Sequence, residues 1–274
     1  MSALAAWTRL QRRAPTLLLS AFVLVFFAFL LAPILLVVAV SFSDSEVVSF
    51  PVTSFSLRWY QRLLEYRPLL DSLWYSLKLA AASAALAAVF GVPAALALAR
   101  ARTPFANLLS AFLLSPLSIP MILLGVALLY RLSAMGLGLS FASLLIAHTV
   151  VSIPYVVRTV VAVYRNIGKD YEEAAAILGA SRMQTFIHVT LPLISSGLFS
   201  GMLFAVLISL DNLSLSLFFG SAQTNTLPVV MLSYLQNQFD PAIAAIGTVQ
   251  MAIAFLVLLL IERTVGLSFM SAPS

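Results

Sequence analysis

The stretch Thr16–Ser43, TLLLSAFVLVFFAFLLAPILLVVAVSFS, contains no Asp, Glu, Lys or Arg. As a helix it is longer than the roughly 20 residues needed to cross a bilayer core. Five further uncharged stretches follow it: Leu79–Ala99, Pro104–Tyr130, Leu132–Val157, Val189–Leu210 and Pro241–Ile261. In hydrocarbon, backbone polar groups are satisfied only within helices or closed barrels, and these runs lack the alternation of barrel strands. The reading is an all-α membrane protein with six transmembrane helices. The competing reading, buried helices of a large soluble protein, fits poorly. The chain is 62% hydrophobic and 9% charged, against about 25% charged in soluble domains.

Arg9, Arg12 and Arg13 precede the first run, as in a secretory leader. Its apolar part is much longer than the roughly 7–15 residues of such a leader, so it reads as a retained helix. The net charge of +5 is accounted for by orientation. With the N-terminus inside, the cytoplasmic segments carry Arg9, Arg12, Arg13, Arg100, Arg102, Arg165, Lys169, Arg182 and Arg263, and the outer segments carry Arg58, Arg62, Arg67 and Arg131. This asymmetry predicts an N-in, C-in topology and leaves nucleic-acid binding without support. With no cysteine, thiolate and disulfide chemistry are excluded.

The expected organisation is a cytoplasmic N-terminus over 1–15, a first helix over 16–43, an outer amphipathic segment over 44–71, a transmembrane domain over 72–262 and a cytoplasmic tail over 263–274. Trp59, Tyr60, Tyr66, Trp74 and Tyr75 suit the headgroup level of the outer segment. Helix two is expected over Ser72–Ala99, helix three over Phe105–Tyr130 with kinks at Pro116 and Pro120, and helix four over Ser140–Tyr164 with a kink at Pro154. Helix five is expected over Leu191–Phe219. The outer loop Gly220–Asp240, which includes Phe239, either dips into the pore mouth or lies in solvent. No internal repeat is seen.

The most polar cytoplasmic piece is Lys169-Asp-Tyr-Glu-Glu-Ala-Ala-Ala-Ile-Leu-Gly-Ala-Ser-Arg182. Asp170 is placed to cap a helix over about 171–178, Glu173 favours its positive end, and Gly179 is placed to stop it. Such a helix either docks in another protein's groove or lies capped on the membrane. Glu173-Ala174-Ala175, three residues, Gly179, nine residues and then Val189-Thr190-Leu191-Pro192 resemble the EAA signature of binding-protein-dependent ABC importer permeases. The family usually has isoleucine where Val189 stands.

The resemblance covers roughly Ser72–Ile261 and implies the type I importer permease fold in a bacterial inner membrane. By that resemblance Glu172, Glu173, Ala174, Ala175 and Gly179 belong to a coupling helix seated in a separate ATPase subunit, with Glu173 paired to a basic residue there. Implied partners are a second permease completing a heterodimeric pore, two ATPase subunits and a periplasmic or lipid-anchored substrate-binding protein. The chain has no phosphate loop, since Gly168-Lys169 lacks the earlier glycine and the following hydroxyl. ATP and Mg are therefore expected only in the partner subunits, with no cofactor or metal held by this chain.

Asp211 is the charge that interrupts helix five. It reads either as a cation-attracting residue of an outer vestibule, with Asn212, Ser209 and Ser214, or as a hydrated interfacial acid paired with Lys78. Lys78 and Arg158 lie near helix ends and are explained by snorkelling. His148 reads as a helix-packing hydrogen bonder. The tail Ser209–Thr248 resembles the second permease of spermidine/putrescine-type importers, which often carry another acid where Asn212 stands. The implied substrate is a polyamine or a related amine or opine-like solute; ferric iron or phosphonate are alternatives, as is an ion-coupled secondary transporter. The last of these needs buried acids near midplane, and the chain offers only Asp211.

Overall fold

The computed structural model describes residues 2–101, 103–221, 224–238 and 240–270. Arg102, Phe239 and 271–274 of the expected tail lie outside them. The described chain is helical, with one isolated antiparallel bridge between Ser43 and Phe55.

Two compact units are present. The smaller one comprises residues up to Glu65 together with Gln238–Met251. Its first helix, α1 (Ser2–Ser41), carries an apolar stretch, Leu18–Ser41, that is exposed over most of its length. A helix apolar on all sides and uncovered by its own chain is suited to lipid or to another subunit. The expected outer amphipathic segment folds back on the end of α1. Ser56 N–H donates to Phe42 O, and Trp59 Nε1, in α2 (Arg58–Glu65), donates to Ser43 O at 2.8 Å. Trp59 and Leu63 form the buried side of α2, and Arg62 reaches Asp240 at 3.6 Å.

The larger unit, Tyr66–Asn237 with the residues from Ala252 on, is organised around α3 (Arg67–Arg100), α6 (Phe141–Tyr164) and α10 (Ser195–Asp211). Most of the buried residues of α3 are small, namely Ser72, Ser76, Ala80, Ser83, Ala84, Ala87, Gly91 and Ala95, with Leu69, Leu79, Val92 and Leu98 among them. Small residues let helix backbones approach closely, which is how helices associate where lipid is as apolar as a leucine side chain. Gly197 and Gly201 do the same for α10, lying against Thr159, Val156 and Val163 of α6.

Three helices are long and apolar enough to cross a membrane unbroken: Leu18–Ser41, Arg67–Arg100 and Phe141–Tyr164. The expected single helix three is instead a bent pair. It comprises α4 (Pro104–Leu114) with a 3-10 turn to Leu117, and then α5 (Met121–Ala134) at 105° to it. Pro116 and Pro120 stand at the break, where missing N–H groups and ring clashes stop helix propagation. Pro154 produces no such break, and α6 continues through it.

Helix five is also interrupted. After α7 (Asp170–Ile177) the chain forms α8 (Arg182–Thr185), a π turn over Phe186–Thr190 and α9 (Leu191–Leu193), and bends by 71° into α10. It breaks again at Asn212 before α11 (Leu213–Phe219). The break is locally satisfied, because Asn212 Oδ1 accepts from Leu215 N at 3.1 Å and so caps α11. The expected loop Gly220–Asp240 carries α12 (Leu227–Asn237), whose first N–H donates to Ser76 Oγ at 2.8 Å. The last helix, α13, spans Ala242–Met270.

Candidate functional site

Helix α7 forms because Asp170, Glu172 and Glu173 occupy the positive end of its dipole and three alanines follow. Its start differs from the expected cap. Lys169, not Asp170, is the N-cap residue, and its carbonyl accepts from the N–H groups of both Glu172 and Glu173, so Asp170 is already helical. Its end is as expected. Gly179, at φ +84°, stops the helix, with Gly179 N–H donating to Ala176 O and Ala180 N–H to Ala175 O, both at 3.0 Å. A β-carbon at Gly179 meets no neighbour within 4 Å, so the left-handed backbone is what resists it. Gly179→Val is expected to cost about 1–2 kcal/mol and to raise local opening of α7 about tenfold, read by amide exchange. Exchange equal to wild type would show that the glycine is dispensable.

The chain restarts at Ser181, where a reciprocal capping box with Gln184 opens α8. The Ser-x-x-Gln spacing is the signal in the sequence that announces this box.

The two adjacent glutamates have opposite surroundings. Glu173 is exposed and pairs with no cation of the described residues. Glu172 is drawn inward: its carboxylate accepts from Arg100 Nη1 at 2.6 Å, from Tyr164 OH at 2.8 Å and from Thr190 Oγ1 at 2.8 Å. The Arg100 guanidinium also lies 4.4 Å from the centre of the Tyr164 ring. Arg100, Tyr164 and Thr190 lack a local sequence signature, because they stand 72, 8 and 18 residues from Glu172.

Burial opposes ionisation of Glu172. The hydrogen bonds from Tyr164 and Thr190 and the charge and hydrogen bond of Arg100 outweigh it, and they hold the carboxyl below its ordinary 4.5. A folded value below the unfolded one means that this cluster stabilises α7 fully above about pH 4.5 and ceases to do so as pH falls through the lowered value. After correction for intrinsic exchange, amide protection over Asp170–Ile177 is expected to stay constant down to about pH 5 and to weaken only in more acid solution. Weakening between neutrality and about pH 5 would contradict this.

In and just after α7 four apolar side chains stand in the open: Tyr171, Ile177, Leu178 and Met183 are 59%, 87%, 88% and 65% exposed. Ala174 and Ala176 are exposed and Ala175 half-buried, so the face between them is low.

At the other end of α10, Asp211 is exposed and forms no ion pair with Lys78; that lysine lies exposed over the Trp74 ring at 5.3 Å. Asn212 is buried and occupied in capping, and Ser209 is buried with its Oγ 2.8 Å from His148 Nδ1. The Ser216 hydroxyl lies 3.4 Å from His148 Nε2, so His148 links α6 to both sides of the break between α10 and α11. Of the three residues read as a substrate pathway, only Asp211 presents its side chain freely. No group of three or more potential metal ligands occurs among the described residues.

Residues 87–265 match the family described as binding-protein-dependent transport system inner membrane component. The putrescine transport system permease protein PotI of Escherichia coli K12 is 31% identical over 229 residues, covering 81% of each chain. The molybdenum transport system permease protein ModB of Mycobacterium tuberculosis is 39% identical over 204 residues, covering 69% of this chain and 76% of its own. The fold is similar to that of a bacterial ABC transporter involved in import of the acidic polysaccharide alginate. That match has a TM-score of 0.72 at 17% identity and covers 92% of this chain and 97% of the other. The chain therefore belongs to the inner-membrane components of binding-protein-dependent transport systems, and is a multi-pass permease subunit of an ABC importer in the inner membrane.

Proposed function

We propose that the chain crosses the membrane six times, N-in and C-in, and forms half of a translocation pore whose other half is a second permease subunit. The crossings are the three unbroken helices, the two bent pairs and α13, which begins in an apolar run over Ala242–Leu256. The distribution of basic residues supports the orientation. Two separate ATPase subunits hydrolyse ATP with Mg, and a periplasmic or lipid-anchored binding protein delivers the substrate.

In this reading α7 is the coupling helix. The observation that carries it is the exposure of the apolar side chains Tyr171, Ile177, Leu178 and Met183, together with that of Glu173, on a cytoplasmic segment that leaves no residue of α7 buried in its own chain. An apolar patch of this kind in water marks a docking surface, and the small alanine face lets a groove close over it. Glu173 pairs with a basic residue of the ATPase. Closure of the two ATPase subunits moves α7 and switches the pore between its two accesses.

The substrate is a polyamine or a related small amine. The similarity to a putrescine permease and the exposed Asp211, which attracts cations, support this. A second reading, a molybdenum-containing solute, rests on the 39% identical relative. The test is co-purification with the ATPase, second permease and receptor, followed by uptake into vesicles driven by enclosed ATP. Polyamines, opines, phosphonates, ferric iron and molybdate serve as candidate substrates. Uptake of amines with ATP consumption is the expected result; uptake that persists without any ATPase subunit would sink the reading.

A further inference from the structure

We infer that Glu172 is the positioning residue through which α7 is tied to the membrane helices, and that this tie, rather than contact with a partner, is what it contributes to coupling. The inference rests on α7 being the helix that receives the ATPase stroke. None of the residues of α7 is buried, so the helix has no apolar anchor of its own. Its side-chain hydrogen bonds to other elements run through one carboxylate near its start, and the three donors on that carboxylate come from three elements. Arg100 is the last residue of α3, Tyr164 the last of α6, and Thr190 closes the π turn that leads into α9 and α10.

These attachments are short, and one is an ion pair at 2.6 Å between groups that are 29% and 21% exposed. They are therefore better shielded from salt than pairs in open solvent. The Tyr164 ring, stacked under the Arg100 guanidinium, fixes the direction from which that charge approaches. A displacement of α7 thus reaches the ends of α3 and α6 and the start of span five together, through a single side chain. The covalent connections on either side, residues 165–169 and 178–181, are turns and irregular backbone that do not continue α6 or α8 into α7. Glu173, one residue on, faces outward and is free for the ATPase. The pair of acids divides the work, one binding the motor and the other the load.

The test uses the assembled importer in vesicles and reads two quantities: retention of the ATPase subunit on the purified permease, and ATP consumed per substrate moved. With Glu172→Ala the ATPase is expected to remain bound while ATP consumed per substrate rises about tenfold or more, a span typical of coupling between sites. Arg100→Ala should act in the same direction, and the double variant should be little worse than either single one, because both remove the same link. Glu172→Gln still accepts from Tyr164 and Thr190 and should recover part of the loss. The tie is overturned if Glu172→Ala leaves the ratio unchanged, or if it releases the ATPase subunit and so acts at the interface. Failure of the wild-type chain to retain any ATPase is a different result, and it removes the coupling-helix reading itself.

Discussion

Gly201→Leu is expected to prevent α6 and α10 from packing and to leave no folded permease. A β-carbon at Gly201 would stand 2.5 Å from Thr159 Oγ1, 2.7 Å from Val156 Cα and 3.3 Å from Val156 N. Two of those atoms are backbone and cannot swing aside. Thr159 is also held, since its hydroxyl donates to Tyr155 O at 3.0 Å and to Val156 O at 3.1 Å. One turn earlier Gly197 is as tight, with Thr159 O at 2.8 Å from its would-be β-carbon. The helices would have to separate along the whole contact.

A single forced methylene costs about 1–3 kcal/mol, so Gly201→Ala should destabilise by about that amount and Gly201→Leu by several times more, comparable with a whole domain stability of about 5–15 kcal/mol. Thermal unfolding in detergent, read by gel-filtration profile, checks the series. Ser200→Leu, at an exposed position on the same helix, should elute and melt like the wild-type chain. A Gly201→Leu permease that melts at the wild-type temperature would show that the close approach of the two helices is not needed.

The same two helices show what a sequence discloses and what it withholds. Uncharged runs located the three helices that are long and apolar enough to cross a membrane and the two bent pairs, since hydropathy is a property of composition and survives any bend. The bends themselves were partly legible. Pro116 and Pro120 marked a disruption, but a proline shows where an N–H is missing and not how far the chain turns, so a kink was expected where a 105° break occurs. Pro154 carries the same local signal and α6 runs on through it, held by packing on both sides. The break at Asn212 was hidden because its cost is met locally by the asparagine side chain, which in a hydropathy profile is one polar residue among leucines. Helix α12 was read as loop for the opposite reason: its eleven residues are too few to span. In α7 the stop at Gly179 was legible from the glycine alone. The link from Glu172 to Arg100 joins residues 72 apart, and no pattern in one sequence connects them.

With Glu173→Lys, the importer is expected to reach the membrane and fold, yet to hydrolyse no more ATP with loaded receptor than without it. The reasoning separates folding from docking. Among the described residues Glu173 forms no ion pair, so its replacement breaks none. A lysine in the first turn opposes the helix dipole by only about 0.3–1 kcal/mol, and Asp170 and Glu172 remain there to offset it. Amide protection of α7 should consequently stay near that of the wild type.

At the ATPase the effect is far larger. Charge reversal removes an attraction and sets a cation against the basic residue proposed to receive Glu173, a juxtaposition that costs several kcal/mol. That corresponds to a loss of binding of about a hundredfold or more. Glu173→Gln removes the attraction without adding repulsion, so its ATP stimulation should fall between the other two. Stimulation by loaded receptor that is normal in Glu173→Lys, with the ATPase still attached, would rule Glu173 out of the interface. The two acids are then told apart by one measurement, since reversal at Glu173 is expected to release the ATPase subunit, whereas loss of Glu172 leaves it bound and disconnects the stroke from the pore.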